Sequence, residues 1–177
     1  MELEVVDSQH LGAGDREALR ALWDRAFGDR FGDDDAEHAY GGVHVLARGA
    51  GRLVGHASAV PRSIRFGDQP WRTIGYVEAV AVDPAHQGQG LGRRVVGRLH
   101  EEIAERWGLA MLSTGRATGF YEGLGWERWL GLSYTARDDG TVVADDEHGG
   151  LMVLGHASVG VDRATSVTCR DRPGDAW

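Results

Sequence analysis

The chain has 177 residues, 42 % of them hydrophobic and 26 % charged, which suits a single domain, 1–177, around one sizeable core. No apolar run is long enough to span a membrane, and the lone Cys169 excludes an internal disulfide and a cysteine-based zinc site. The opening Met1-Glu2-Leu3-Glu4-Val5 lacks the basic and then apolar blocks of a secretion signal, so a cytoplasmic location is expected. A net charge of -8 without a basic, aromatic-laced patch argues against a nucleic-acid partner; the surplus acid either keeps the protein in solution or faces a cationic ligand.

Asp15 precedes Leu19, Leu22, Trp23, Ala26 and Phe27, an apolar stripe at helical spacing that predicts a helix with Asp15 as its N-cap. Gly28 to Asp35 ends it as an acidic loop. His44 to Arg48 and Leu53 to Val60, around Gly49-Ala50-Gly51, read as a hairpin. Thr73 to Val82 is a longer strand, and Leu91 to Trp107 a helix with Leu91, Val95, Val96, Leu99, Ile103 and Trp107 on one face. Ala110 to Ser113 reads as a short buried strand, Ala117 to Glu122 as a short helix, and Trp126 to Leu132 as another strand. Asp138 to Gly150 reads as a polar loop and Leu151 to Leu154 as a late strand; Arg170 to Trp177 is polar up to its terminal indole. Meander strands followed by a strand-helix-strand crossover predict a mixed α/β (α+β) sheet flanked by helices.

The most informative segment is Val80-Ala81-Val82-Asp83-Pro84-Ala85-His86-Gln87-Gly88-Gln89-Gly90-Leu91-Gly92-Arg93. A strand ends at a proline turn, and a glycine-rich loop opens a helix. Alternating glycines let the backbone curl and present N–H groups to an anion, and the helix dipole adds to the attraction. The same pattern also serves tight strand-to-helix packing. It is neither a G-x-x-x-x-G-K-[ST] nor a G-x-G-x-x-G motif.

Gln87-x-x-Gly90-x-Gly92 after Glu78-Ala79-Val80-Ala81-Val82 resembles the signature of the GCN5-related N-acetyltransferase superfamily. The resemblance implies a fold with a splayed cleft for acetyl-CoA. Val80, Ala81 and Val82 would lie along the pantetheine arm, and Gln87, Gly88, Gln89, Gly90, Leu91 and Gly92 would hold the pyrophosphate. It also implies that the Val80 N–H polarises the thioester carbonyl, and that Tyr121, within Phe120-Tyr121-Glu122-Gly123-Leu124-Gly125-Trp126, protonates the departing thiolate. Attack by an amine requires removal of a proton, and Glu78, a carboxylate interrupting an apolar strand, is the candidate base or ammonium ligand. Without the resemblance, Tyr121 reads as a core aromatic and Glu78 as a surface strand residue.

A closer likeness, to the aminoglycoside 2′-N-acetyltransferases of mycobacteria and related actinobacteria, runs over nearly the whole chain. It rests on Glu37-His38-Ala39-Tyr40-Gly41-Gly42-Val43-His44, Gly75 to Val82, Phe120-Tyr121 with Gly125-Trp126, and Gly174-Asp175-Ala176-Trp177. It implies that Asp35, Glu78, the backbone of Ala79, Ser113, Asp146, Glu147, Asp175 and the Trp177 carboxylate bind a polycationic aminoglycoside, and that the protein is a homodimer. Two departures stand out: Glu147 replaces an aspartate, and Arg30 falls beside Asp29 where a substrate-binding carboxylate is expected. Asp33 to Asp35 otherwise reads as a solvated turn and Trp177 as a frayed end. The eight histidines, His10 to His156, show no ligand spacing, so no metal is expected, and Cys169 reads as inert. Rival readings are a superfamily enzyme for another small amine, a polyamine or a protein N-terminus, and a non-catalytic acyl-CoA or drug-binding module.

Overall fold

The computed structural model describes residues 1–144 and 149–177. The chain forms an α+β fold of two compact units, one of Met1–Val60 with Val77–Glu102, the other of Pro61–Tyr76 with Ile103–Trp177. Three elements run through both: β3 (Arg52–Phe66), β4 (Arg72–Val82) and α3 (Leu91–Arg106).

In the first unit, β1 (Glu2–Asp7) pairs antiparallel with β2 (Val43–Gly49), and β2 with β3. The expected hairpin is present, but its register shifts between Ala47 and Arg48: Ala47 faces Gly55 and Arg48 faces Leu53. Helix α1 (Ala13–Phe27) buries Leu19, Leu22 and Trp23 against Leu46, Leu53 and Ala81. Asp15 is not its N-cap. Gly12 holds that position, and the Asp15 carboxylate accepts the Gly12 N–H from the third residue of the helix at 3.1 Å. The acidic stretch expected as a loop contains a further helix, α2 (Asp33–His38), begun in the same way by Asp35. Acidic residues placed here favour the positive end of the helix.

A polar chain crosses this core. Ser8 Oγ lies 2.6 Å from His44 Nε2, His44 Nδ1 lies 3.0 Å from His56 Nε2, and His56 Nδ1 lies 2.8 Å from the Ala79 carbonyl oxygen. Both imidazoles are fully buried. Gly42 donates to Ser8 Oγ from backbone so close to β3 that a Cβ on it would overlap the Ala59 carbonyl.

In the second unit the strand order is β6-β9-β5-β4-β3-β10-β7-β8, built from the remaining parts of β3 and β4 with β5 (Ala110–Ser113), β6 (Glu127–Arg128), β7 (Ser133–Arg137), β8 (Gly140–Val143), β9 (Leu151–Leu154) and β10 (Val167–Arg170). β4 pairs parallel with β5, at Gly75↔Ala110 and Tyr76↔Met111, which is the predicted crossover through α3. Helix α4 (Thr118–Glu122) follows β5. Two expectations change. The strand expected over Trp126 to Leu132 is only Glu127–Arg128, and the polar stretch from Asp138 contains β8, an exposed strand antiparallel to β7.

The buried imidazoles make stability depend on pH. Desolvation, reinforced by Arg16 at His44 and by His44 at His56, lowers them from near 6.5 to about 4 and about 3. Below pH 6.5 the unfolded chain therefore takes up protons that the fold refuses, so the stability present above pH 6.5 is lost as the pH falls toward the folded values, by about 2 kcal/mol per imidazole at pH 5. Urea unfolding at pH 7 and pH 5 checks this: stability falls toward pH 5, and falls less in His44→Gln, which has one such imidazole fewer.

Candidate active site

The sequence-predicted residues fall into two groups, one in each unit. In the first unit, β4 carries Glu78, Ala79, Val80, Ala81 and Val82 straight into the glycine loop. Ala81 packs in the core, whereas Glu78 to Val80 and Val82 are half-buried. Ala79 has φ of 50°, in the left-handed region that few residues other than glycine adopt. The Glu78 carbonyl accepts Ser58 Oγ at 3.1 Å and the Ala79 carbonyl accepts from His56 at 2.8 Å. In a regular strand successive carbonyls alternate in direction. Here both meet side chains of β3, and the left-handed turn at Ala79 is what permits it.

After β4, Asp83 accepts the Ala85 N–H and pairs with Arg25 at 2.8 Å, fixing the proline turn. Gln87 Nε2 donates to the Val82 carbonyl and Gln89 Nε2 to the Ala85 carbonyl, so these side chains brace the loop from behind. Gly88 and Gly90 have φ of 73° and 79°, and open space surrounds the position of an added Cβ at each. Glycine is needed there for backbone conformation, not for packing. Gly90 O accepts the Arg94 N–H at 3.2 Å, which starts α3 and leaves the first-turn amides without helical acceptors. An exposed glycine loop with amides at the mouth of a 16-residue helix fits a diphosphate.

Asp35, also in this unit, is engaged structurally: its Oδ2 accepts the Gly32 N–H at 2.7 Å. Arg30, the departure from the expected carboxylate, donates to the Phe27 carbonyl at the end of α1.

In the second unit Tyr121 is 6 % exposed, edge-on to Phe120 and Trp126. Burial raises its phenol above the ordinary value, so it stays protonated at neutral pH. Ser113 closes β5 opposite Leu151. Asp175 and Trp177 lie together at a cavity of about 490 Å³, which Asp171, Arg137 and Thr135 also line; Ser113 and Tyr121 are not among its lining residues. Asp146 and Glu147 lie outside the described residues.

Trp177 is not frayed. The residue is 5 % exposed and its backbone N–H donates to Asp175 Oδ1 at 3.1 Å. Arg172 donates to the Asp175 and Trp177 backbone oxygens, and Arg62 Nη2 to those of Arg170 and Ala176. Both guanidiniums lie over the Tyr76 ring, at 5.9 and 5.1 Å. Cys169 Sγ donates to Ala176 O at 3.3 Å, and burial pushes its thiol up, which leaves it unreactive. The sequence reading missed Arg62, Arg172 and Asp171, because nothing local to β3 or to a polar tail marks a clamp formed between distant segments.

A model of the acetyltransferase (GNAT) domain matches residues 8–129. The chain is 34 % identical to an aminoglycoside 2′-N-acetyltransferase of Mycolicibacterium fortuitum, over 98 % of this chain and 90 % of the relative. Among solved structures, it resembles the GNAT family N-acetyltransferase YhbS of Escherichia coli in complex with CoA, with a TM-score of 0.66 at 18 % identity over 98 % of this chain and 93 % of the other. It also resembles an aminoglycoside 6′-N-acetyltransferase complexed with coenzyme A, with a TM-score of 0.59 at 18 % identity over 87 % and 96 % of the two chains. These structural likenesses concern the fold, a mixed sheet flanked by helices. With the glycine loop opening α3 where the signature requires it, and with a family match over most of its length, the chain belongs to the GNAT acetyltransferase family.

Proposed function

We propose that this protein is an acetyl-CoA-dependent N-acetyltransferase acting on the 2′-amino group of aminoglycosides. The observation that carries the reading is the near full-length match to an aminoglycoside 2′-N-acetyltransferase. Two features of the chain support it: a glycine loop suited to the diphosphate of coenzyme A, and a cavity in the second unit where the Asp175 carboxylate suits a cationic amine, beside Asp171, which pairs with Arg137 at 3.6 Å.

Bound acetyl-CoA supplies an activated thioester. The residues then divide the remaining tasks. Val80, Ala81 and Val82 offer backbone to the pantetheine arm, and the segment from Gln87 to Gly92 grips the phosphates. Glu78 takes a proton from the ammonium so that the nitrogen can attack. The Val80 N–H donates to the carbonyl oxygen as it gains negative charge. Tyr121 gives its phenolic proton to the sulfur as the carbon–sulfur bond breaks, and burial keeps that proton in place until it is needed. Asp35, Asp175 and Trp177, with Ser113 and the Ala79 backbone, hold the sugar's polar groups. As the tetrahedral adduct collapses the nitrogen gives up its second proton, which returns through solvent to the Tyr121 phenolate, so that ammonium and thioester become an amide and a free thiol with one proton left on Glu78.

Thiol release from acetyl-CoA tests the substrate. Gentamicin or tobramycin, which carry a 2′-amine, are expected to support turnover, and a kanamycin with a 2′-hydroxyl is not. Equal turnover with the hydroxyl compound rejects the regiochemistry, and tight coenzyme A binding without thiol release from any amine favours a sensor.

Tyr121→Phe is expected to lower kcat about a hundredfold while leaving coenzyme A affinity in calorimetry nearly unchanged. Unaltered turnover would remove Tyr121 from the acid role.

Asp175→Asn keeps the oxygen that accepts the Trp177 N–H and removes only the charge, so folding should survive. Steady-state kinetics should show the KM for the aminoglycoside rising about tenfold, with a smaller change in kcat.

A further inference from the structure

We infer that Ser8, His44 and His56 are positioning residues, a buried one-way hydrogen-bond chain that fixes the Ala79–Val80 peptide plane and so aims the Val80 N–H. The inference rests on the proposed role of Val80 but uses atoms that the reading of function leaves unassigned.

The direction of the chain is set at its far end. Ser8 Oγ accepts the Gly41 N–H at 2.9 Å and the Gly42 N–H at 3.2 Å. Backbone amides only donate, so the Ser8 hydroxyl proton is left to point at His44 Nε2, 2.6 Å away. His44 must then carry its proton on Nδ1 and donate it to His56 Nε2 at 3.0 Å. His56 must in turn carry its proton on Nδ1, 2.8 Å from the Ala79 carbonyl oxygen. Each ring thus serves as acceptor on one side and donor on the other, which only a neutral imidazole does. Burial keeps both neutral through the physiological range.

The reverse polarity fails at both ends. It would surround Ser8 Oγ with three donors and set a bare nitrogen lone pair against the Ala79 carbonyl. It would serve Trp23 Nε1, which lies 3.2 Å from His56 Nδ1, but that contact is the longer of the two.

The consequence for the site follows from amide geometry. A trans peptide is planar, and its C=O and N–H point in opposite directions. Holding the Ala79 oxygen on His56 therefore turns the Val80 N–H away from β3. Ser58 does the same to the preceding peptide by holding the Glu78 carbonyl. Between the two anchored planes the backbone must adopt the left-handed conformation seen at Ala79. A donor fixed before the reaction needs no reorganisation when the oxyanion forms.

Two measurements test this. In the wild type, ¹⁵N-resolved imidazole spectra at pH 7 should show His44 and His56 both as Nδ1–H tautomers; an Nε2–H tautomer at either ring overturns the proposal. In infrared difference spectra, the ¹³C-labelled carbonyl of bound acetyl-CoA should shift to lower frequency in the wild type, and His56→Leu should abolish at least half of that shift. His56→Leu should also lower kcat about tenfold or more, with coenzyme A affinity and the KM for the amine within about threefold, because one misaimed oxyanion donor is lost. His56→Asn, whose Nδ2 falls near the position of Nδ1, should recover most of both. An unchanged carbonyl band and kcat in His56→Leu overturn the positioning role and leave the acetyltransferase reading intact. A wild type with no affinity for acetyl-CoA overturns both. Should His56→Leu fail to fold, Ser8→Ala carries the test: its imidazoles should redistribute between tautomers with kcat at least threefold lower, and retention of both tautomers with full kcat overturns the proposal.

Discussion

The hydrogen bond from His56 to the Ala79 carbonyl is the constraint on which the geometry of the first unit turns. Left-handed backbone at an alanine costs about 1–2 kcal/mol, and nothing about an alanine asks for it. The cost is met because the carbonyls on either side of the Ala79 N–H and Cα each find a buried donor on β3, and each such bond contributes on the order of 1 kcal/mol. Breaking either would also leave a polar atom unpaired in a core where both imidazoles have no solvent contact. Strain at one residue and satisfaction at its neighbours are thus the same structural fact. The strained residue sits between the proposed base, Glu78, and the proposed oxyanion donor, Val80.

A parallel logic holds in the second unit. A polar chain end would ordinarily fray. Here Arg62, 9 % exposed, reaches the backbone oxygens of Arg170, the last residue of β10, and of Ala176 in the segment that follows, while its guanidinium also lies over Tyr76. Arg172 repeats the arrangement from the tail itself. A planar, always-charged group with donors in a fixed fork can satisfy backbone oxygens and an aromatic face together, which a lysine cannot. The tail is thereby set with the Trp177 ring inward and the Asp175 carboxylate at the cavity that Asp171 and Arg137 also line.

How much of this is legible in the chain differs by the range of the interaction. Helices α1 and α3 and strands β4, β5 and β9 lie within a few residues of their expected bounds, because each is encoded by local periodicity and turn residues. The glycine loop is legible for the same reason. Strands β1, β7 and β10 escape a sequence reading, and β8 reads as loop. β8 is exposed throughout, β1 exposes Glu2 and Glu4, and the buried positions of β7 are the polar Ser133 and Thr135, so none has a full apolar signal; β1 and β7 become strands by pairing with segments far away in sequence, and β8 by pairing with β7. Asp15 reads as a cap one turn too late, since a carboxylate at the third helical residue and one at the cap look alike in sequence and differ only in which amide they accept. The clamp on the tail and the left-handed Ala79 have no local signal at all.

The histidines are the instructive case. They show no metal spacing, and the hairpin that holds two of them is legible in the sequence. The missing step is one residue of register. Extending the pairing inward from Arg48↔Leu53 without interruption would set His44 opposite Ala57 and His56 opposite Val45. Paired residues share a face and neighbours along a strand alternate, so the two rings would then lie on opposite faces of the sheet. The irregularity after Ala47 adds one residue to β3, brings His44 opposite Ser58 and His56 opposite Leu46, and thereby puts both imidazoles and the Ser58 hydroxyl on one face. The shift that joins His44 to His56 also gives Ser58 and His56 a common direction, and those are the two side chains that hold the consecutive carbonyls of β4. One extra residue in a hairpin is therefore what connects an otherwise ordinary buried histidine pair to the backbone of the proposed reaction site.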